Sequence, residues 1–309
     1  MMEILELSSK EYGRVFDRPY HVFNGVAFSE LNKHKCDGLH YLSFKDSKIR
    51  LGLILGERDG VLCSPFSAPF GGFSSLRTVD VEAYEEAVMA LKQYVDEHHM
   101  PVRISLPPAF YGETHISKSF SALLHGGARI LYSDLNYQYR LEHFENFEDN
   151  LERNAKKNFH NALKNSFVFE CLNSSDPNDV GRAYEVIRKN RESRGFPLRM
   201  SLQNVLDTVN VIDADLFVTS FEGMDVAAAQ VFHVSDGICQ VIYWGDVPEY
   251  AHLRVMNYFT YKVFEHYFNQ GLKMLDIGPS TEKGVPNYGL CSFKESIGCE
   301  VSLKHTFEL

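Results

Sequence analysis

Residues 216–277 read LFVTSFEGMDVAAAQVFHVSDGICQVIYWGDVPEYAHLRVMNYFTYKVFEHYFNQGLKMLDI, and this stretch decides the fold. It opens with three apolar runs, 216–221, 227–234 and 238–244. Glu222-Gly223-Met224-Asp225 and Ser235-Asp236-Gly237 separate them. Such turn formers between short apolar runs predict a meander of antiparallel strands. The period then changes: Leu253, Met256, Thr260, Val263, Phe264 and Tyr267 share one side of a helix predicted over about 252–269. Gly271 supplies the stop, and 274–277 is a further strand. A Gly/Pro-rich loop, a short helix near 290–296 and a final strand at 301–307 complete this half.

The first half has the same order with different residues. Its runs 39–44, 50–55 and 61–64 are joined by Lys45-Asp46-Ser47 and Glu57-Arg58-Asp59-Gly60. Asp80 caps a helix carrying Val81, Tyr84, Val88, Leu91 and Val95, and Pro101 ends it beyond His99. A strand at 102–106, a short helix at 117–124, the stop Gly126-Gly127 and a strand at 137–141 follow. A unit repeated in order predicts an α+β chain of two related domains, 1–146 and 147–309. Each would be a mixed, mostly antiparallel sheet flanked by helices. The second would open with a basic helix, 148–165, on which Leu151, Ala155, Phe159 and Ala162 form the apolar stripe. Arg153, Lys157, His160 and Lys164 run along the opposite side, with Lys156 beside them.

Composition narrows the class. The 309 residues, 44% hydrophobic and 13% aromatic, can bury a sizeable core. With 31 Lys+Arg against 41 Asp+Glu the net charge is −10, which disfavours binding to duplex DNA while leaving room for a local anion site. No apolar stretch approaches the ~20 residues of a membrane span. The N-terminus MMEILELSSKEY carries acids where a secretory signal carries bases, so the expectation is a cytoplasmic protein. Six scattered cysteines without a CxxC pair and histidines without HExxH predict neither a disulfide framework nor a metal site.

The stretches LERNAKKNFHNALKNSFVFE (151–170), YWGDVPEYAHLRVMNYFTYKVFEH (243–266), KMLDIGP (273–279) and GLCSFKESIGCE (289–300) together resemble the Fem family of aminoacyltransferases and the Fem-like branch of the GNAT N-acyltransferase superfamily. SAPFGGF (67–73) carries a weaker likeness in the first half. The resemblance implies two tandem GNAT-like domains with a cleft between or near them. It also implies that an amine attacks an activated acyl or aminoacyl carbonyl. The long helical hairpin that peptidoglycan Fem enzymes often insert in the second domain has no counterpart segment here. CoA-dependent GNAT enzymes place a Q/R-x-x-G-x-G/A loop between meander and long helix, where backbone amides cradle a pyrophosphate. Here GDVPEYAHLR (245–254) brings a proline and the acids Asp246 and Glu249, which argues against CoA at this loop. Pro69-Phe70-Gly71-Gly72, the first-half counterpart, keeps two glycines and leaves a phosphate open there.

Acyl transfer to an amine needs a proton acceptor, oxyanion stabilisation and neutralisation of the leaving group. No G-x-S-x-G advertises a covalent nucleophile. The catalytic candidates are Lys294, Asp246 and Tyr288. The resemblance puts Lys294, after the aromatic of GLCSFKES, near the reacting carbonyl, where an ammonium stabilises an oxyanion or holds a phosphate. Without the resemblance Lys294 reads as a surface lysine. Glu249 and Asp276 are further base candidates, each equally a cap or turn former. Trp244 and Tyr243, with Tyr250, are aromatic candidates for the cleft floor; Arg254 and the ridge Arg153, Lys156 and Lys157 are anion-binding candidates. The ridge reads equally as a solvated helix face.

Two functions follow. One is an N-acyltransferase or aminoacyltransferase placing an amino acid or small acyl group on an amine of a cell-envelope glycan, its precursor or a lipid. It would hold no permanent cofactor and use acyl-CoA or aminoacyl-tRNA as donor, with a charged tRNA acceptor end as a possible partner. The other is a non-catalytic binding or scaffold protein of the same architecture.

Overall fold

The computed structural model describes residues 2–309. In chain order the first elements are β1 (Glu3–Leu7), α1 (Ser9–Val15), α2 (Val26–Asn32), β2 (Gly38–Lys45), β3 (Ile49–Arg58), β4 (Val61–Ser64), β5 (Ser74–Ser75), α3 (Val81–His98), β6 (Val102–Ser105), α4 (Glu113–His125) and β7 (Arg129–Arg140). Then come α5 (Arg153–Ala162), β8 (Val168–Leu172), α6 (Pro177–Ser193), α7 (Leu202–Val209), β9 (Ala214–Phe221), β10 (Met224–Ser235), β11 (Ile238–Asp246), α8 (Val255–Asn269), β12 (Met274–Pro279), β13 (Thr281–Glu282), β14 (Val285–Pro286), α9 (Tyr288–Ser296) and β15 (Glu300–Glu308). Strand, two helices, meander, long helix, strand, short helix, strand thus occurs twice. The repeat is longer than the sequence alone revealed, because β1–α1–α2 and β8–α6–α7 precede the two meanders.

Two compact units form: Met1–Leu135 with Lys283–Val285 and Ser302–Leu309, and Asn136–Glu282 with Pro286–Val301. The sequence put the divide at 146/147; these units part at 135/136, and the C-terminal residues return to the first unit. In the first unit β1, β2, β3 and β4 pair antiparallel in order, β4 runs parallel to β6, and β15 closes antiparallel on β6 through Thr306↔Ser105 to Glu308↔Arg103. In the second, β8, β9, β10 and β11 pair antiparallel, β11 runs parallel to β12, and residues 136–140 of β7 close antiparallel on β12. Each sheet is therefore mixed and mostly antiparallel. No helix among the described residues is long and apolar enough to cross a membrane.

Helices cover both faces of the second sheet. On one, Val180, Ala183, Val186 and Ile187 of α6 pack with Leu216, Val218 and Ala228. On the other, α8 buries Phe259, Val263, Phe264 and Tyr267, and Phe264 stacks on Tyr139 at 4.1 Å. The signals for α6 are present in the chain: Asp176 as cap, Pro177 in the first turn and an apolar period of three and four.

Two helices are shorter than expected. Residues Pro248–Leu253 form a 3-10 turn and Arg254 adopts φ 60°, so α8 starts at Val255 and not near 252. The expected helix 148–165 holds only over Arg153–Ala162; Leu141–Asp149 is 3-10 with a kink at Asn146. There Phe144 and Phe147 turn onto Tyr261 of α8, each at 5.3 Å, so tertiary packing overrides the local propensity.

In the first unit the SAPFGGF loop plugs the end of the β4–β6 pair. Phe70 and Phe73 are fully buried. The Gly71 amide donates to Ser105 O at 2.9 Å and the Gly72 amide to Ser64 Oγ at 3.0 Å. Both amides left open for a phosphate are thus spent inside the protein. A Cβ on Gly71 would lie 2.6 Å from Ser64 Oγ and 2.9 Å from Pro65 N. Gly71→Ala should therefore destabilise the protein by about 1–3 kcal/mol, as overpacking of a closed site does. Chemical denaturation measures this, and an unchanged midpoint would show that the loop has room to spare.

Candidate active site

The parallel pairing of β11 and β12 covers only Ile238↔Met274, Cys239↔Leu275 and Gln240↔Asp276, yet β11 continues to Asp246 and β12 to Pro279. Irregular register marks both flanks, between Gln230 and Val231 where β10 meets β11 and between Asp276 and Gly278 where β12 meets β7. Bulges bend a strand and increase its twist, so here they end the ladder. The strands part beyond Gln240 and Asp276, and backbone groups on either side are freed.

Lys294 of α9 meets that opening. Its Nζ donates to Ile277 O at 3.1 Å, Gly278 O at 2.8 Å and Pro279 O at 3.2 Å, and lies 5.2 Å from the Tyr137 ring centroid. At 3% exposure it is not the surface lysine that residue statistics suggest. Burial pulls its pKa down to about 8, opposed by the thiols Cys299 and Cys291 and by Asp276. An ammonium has three donors, and all three are engaged.

The end of β11 sends side chains to both faces. Trp244 meets Phe293 of α9 edge-on at 6.2 Å. Tyr243 faces α6, where the Arg191 guanidinium lies over its ring at 5.0 Å and near Phe196 at 5.9 Å. Tyr250 packs against the same α6 cluster. Gly245 admits α6 closely: a Cβ there would lie 2.3 Å from the Asn190 amide carbon. Asp246, expected in the loop as base or as phosphate repellent, ends the strand instead. Its Oδ1 accepts from Arg194 Nη2 at 3.1 Å, and its backbone oxygen from Asn190 Nδ2 at 2.8 Å. Burial raises its pKa, although Arg194 works the other way. Its carboxylate ties α6 to β11, and the loop is left with Glu249 as its acid in the 3-10 turn.

Arg191 escaped the sequence reading. It is half-buried, its Nε has no hydrogen-bond partner, and burial lowers its pKa. Arg194 and Arg199 lie near it, each paired with an acid, Asp246 and Glu282. The signal was the base-rich stretch NRESRGFPLR (190–199) running out of α6.

Other candidates lie apart. Tyr288 is 77% exposed at the start of α9, where Asn287 caps the helix through Leu290 N at 3.1 Å. Arg254 is exposed at the N-cap of α8. On α5, Arg153 and Lys157 are exposed, while Lys156 sits 3.8 Å from Glu148 and 3.5 Å from Asp149. Acids thus balance part of the ridge. Among the described residues, no hydrogen bond, ion pair or ring contact joins Arg153, Lys156, Lys157, Arg254 or Tyr288 to Lys294 or Trp244.

Comparison with known proteins supplies context. Residues 146–289 match a family model described as an acetyltransferase (GNAT) domain. No curated protein matches in sequence. Among solved structures, FemX has a TM-score of 0.70 at 13% identity, covering 99% of this chain and 97% of its own. A C-terminal domain (DUF2156) assigned to a lysylphosphatidylglycerol synthetase of Agrobacterium fabrum gives 0.63 at 11% identity, covering 97% of this chain and 92% of its own. A tandem GNAT protein from the clavulanic acid biosynthesis pathway gives 0.53 at 10% identity, covering 100% of this chain and 98% of its own. Residues 146–289 are therefore similar to a GNAT acetyltransferase domain, and the chain as a whole shares its fold with FemX.

Proposed function

We propose that this protein is an N-acyltransferase that moves an amino acid or small acyl group onto an amine of a cell-envelope glycan, its precursor or a lipid. The observation that carries the reading is the parting of β11 and β12 with the buried Lys294 ammonium at its edge. A fixed cation beside an opening is what an oxyanion forming from an activated carbonyl requires. Trp244 and Phe293 supply an apolar wall there. Arg191, whose Nε is buried without a hydrogen-bond partner, serves as the anchor for an anionic part of donor or acceptor. Asp246 positions α6, and Tyr288 is the exposed phenol on the helix that bears Lys294. The neighbour named for lysylphosphatidylglycerol supports an envelope lipid as one acceptor class.

Lys294 also supports the scaffold reading, because its donors are already spent on carbonyls. In catalysis it would exchange one carbonyl for the oxyanion. The two readings separate in the Lys294→Ala variant. The transferase reading expects a retained circular dichroism spectrum and turnover lowered at least 100-fold, with either acyl-CoA or aminoacyl-tRNA as the productive donor. Normal turnover in this variant removes Lys294 from the reaction.

The pH profile gives a second test. A Lys294 that works as a cation loses its charge as pH rises through about 8, so turnover should fall above that value. Lys294→Arg, charged throughout, should keep whatever activity it has across the same range. The stability linkage has the matching sign. A lysine whose folded pKa lies below its unfolded value costs stability while both states are charged, and the cost fades between about pH 8 and 10.5. The stability gap between wild type and Lys294→Met should move in favour of wild type over that window; a constant gap would mean that Lys294 keeps an ordinary pKa. Arg191→Gln should raise KM for the anionic substrate about tenfold and leave kcat within a few fold. An unaltered KM would remove the anchor role.

A further inference from the structure

Asp276, the last residue of β12 paired with β11, is fully buried. Its carboxylate accepts from Asn136 Nδ2 at 2.8 Å, Gln240 Nε2 at 2.7 Å and the Gly278 amide at 2.8 Å. A carboxylate repels an amide oxygen, so both side-chain amides are forced to turn their NH2 groups inward. Their oxygens must then point elsewhere. Asn136 Oδ1 and Gln240 Oε1 are buried without any hydrogen-bond partner, on residues only 1% and 2% exposed. The neighbouring Lys294 does not supply them, because its protons are directed at the carbonyls of Ile277, Gly278 and Pro279.

We propose that Asn136 and Gln240, clasped around Asp276, form a subsite for a primary ammonium group at the apex of the β11–β12 opening. The proposal rests on the transfer reading above and goes beyond it by assigning residues to the amine. Two orphan acceptors beside a carboxylate make a surface with electron pairs to give. A phosphate or carboxylate is repelled there, and a hydroxyl brings a single donor. An ammonium brings three donors and a positive charge. The place also fits: the ladder ends at Gln240↔Asp276, so these atoms lie where β11 and β12 cease to pair. In a transferase such an ammonium has two sources, the α-amino group of an aminoacyl donor or the amine of the acceptor. The recognition chemistry is the same for both.

The test uses the full chain and two matched probe pairs, titrated by saturation-transfer NMR. Glycinamide represents the donor end, with acetamide as its uncharged partner. N-acetylcadaverine represents an acceptor amine, with N-pentylacetamide as its uncharged partner. One charged probe should bind and its uncharged partner should not. Glycinamide binding assigns the subsite to the donor; N-acetylcadaverine binding assigns it to the acceptor. Gln240→Met should weaken the bound probe about tenfold or more with the circular dichroism spectrum retained. Asn136→Ser, which keeps a hydroxyl donor for Asp276, is the second variant. The wild-type comparison stands even where a variant does not fold. The proposal is overturned if neither charged probe binds, if the uncharged partners bind equally, or if folded variants bind like wild type. The oxygens would then hold an internal water only. Transfer activity with an unchanged amine KM in Gln240→Met would sink the subsite and spare the transferase reading. Ammonium binding in a protein that transfers nothing would do the reverse.

Discussion

The second unit is organised by a ladder that stops early. Three parallel pairs hold β11 against β12, and beyond Gln240 and Asp276 the strands part. Asp276, Asn136, Gln240 and Lys294 are gathered around that stop. Asp276 pins the last pair and the Gly278 amide. The carbonyls of Ile277, Gly278 and Pro279 that follow accept from a lysine, while Gly278 and Pro279 stay in register with β7. A backbone oxygen deprived of its ladder partner must find another donor or stay wet, and a buried ammonium answers three of them at once.

The cost of that solution explains the surroundings. A lysine at 3% exposure survives as a cation only where many dipoles face it, and its depressed pKa shows that the compensation is incomplete. The first unit treats the equivalent end of its own parallel pair differently. There Phe70 and Phe73 are fully buried, and the Gly71 and Gly72 amides are bonded internally. One architecture is thus used twice with different side chains at the end of the parallel pair. The proposed chemistry uses the second unit, which holds most of the matched segment 146–289.

Much of the fold was legible because period and punctuation agree. The meander 216–244, the helix ending before Gly271 and the cap at Asp80 all follow local rules, and the structure keeps them. The helix starts were less legible. Nothing local says that Arg254 turns left-handed or that Phe144 and Phe147 pull Leu141–Asp149 out of α-helix; rings on α8 decide that. At the site, Lys294 could be named from its motif, but its burial could not. Burial depends on where β12 stops pairing, which is a long-range fact. Asp246 looked like a loop acid because the strand seemed to end at Trp244; two more strand residues and Arg194 make it a tie. Arg191, Asn136 and Gln240 carry no motif. They gain meaning only through Tyr243 in one case and a shared carboxylate in the others.

Hydrogen–deuterium exchange of the full chain, with and without each donor, probes the central claim most directly. If substrate enters where β11 and β12 part, acyl-CoA or aminoacyl-tRNA should slow exchange in 241–246 and 277–280 and leave β2 and β3 unchanged. A donor that supports turnover while protecting neither segment would place the reaction elsewhere in the molecule and contradict the account.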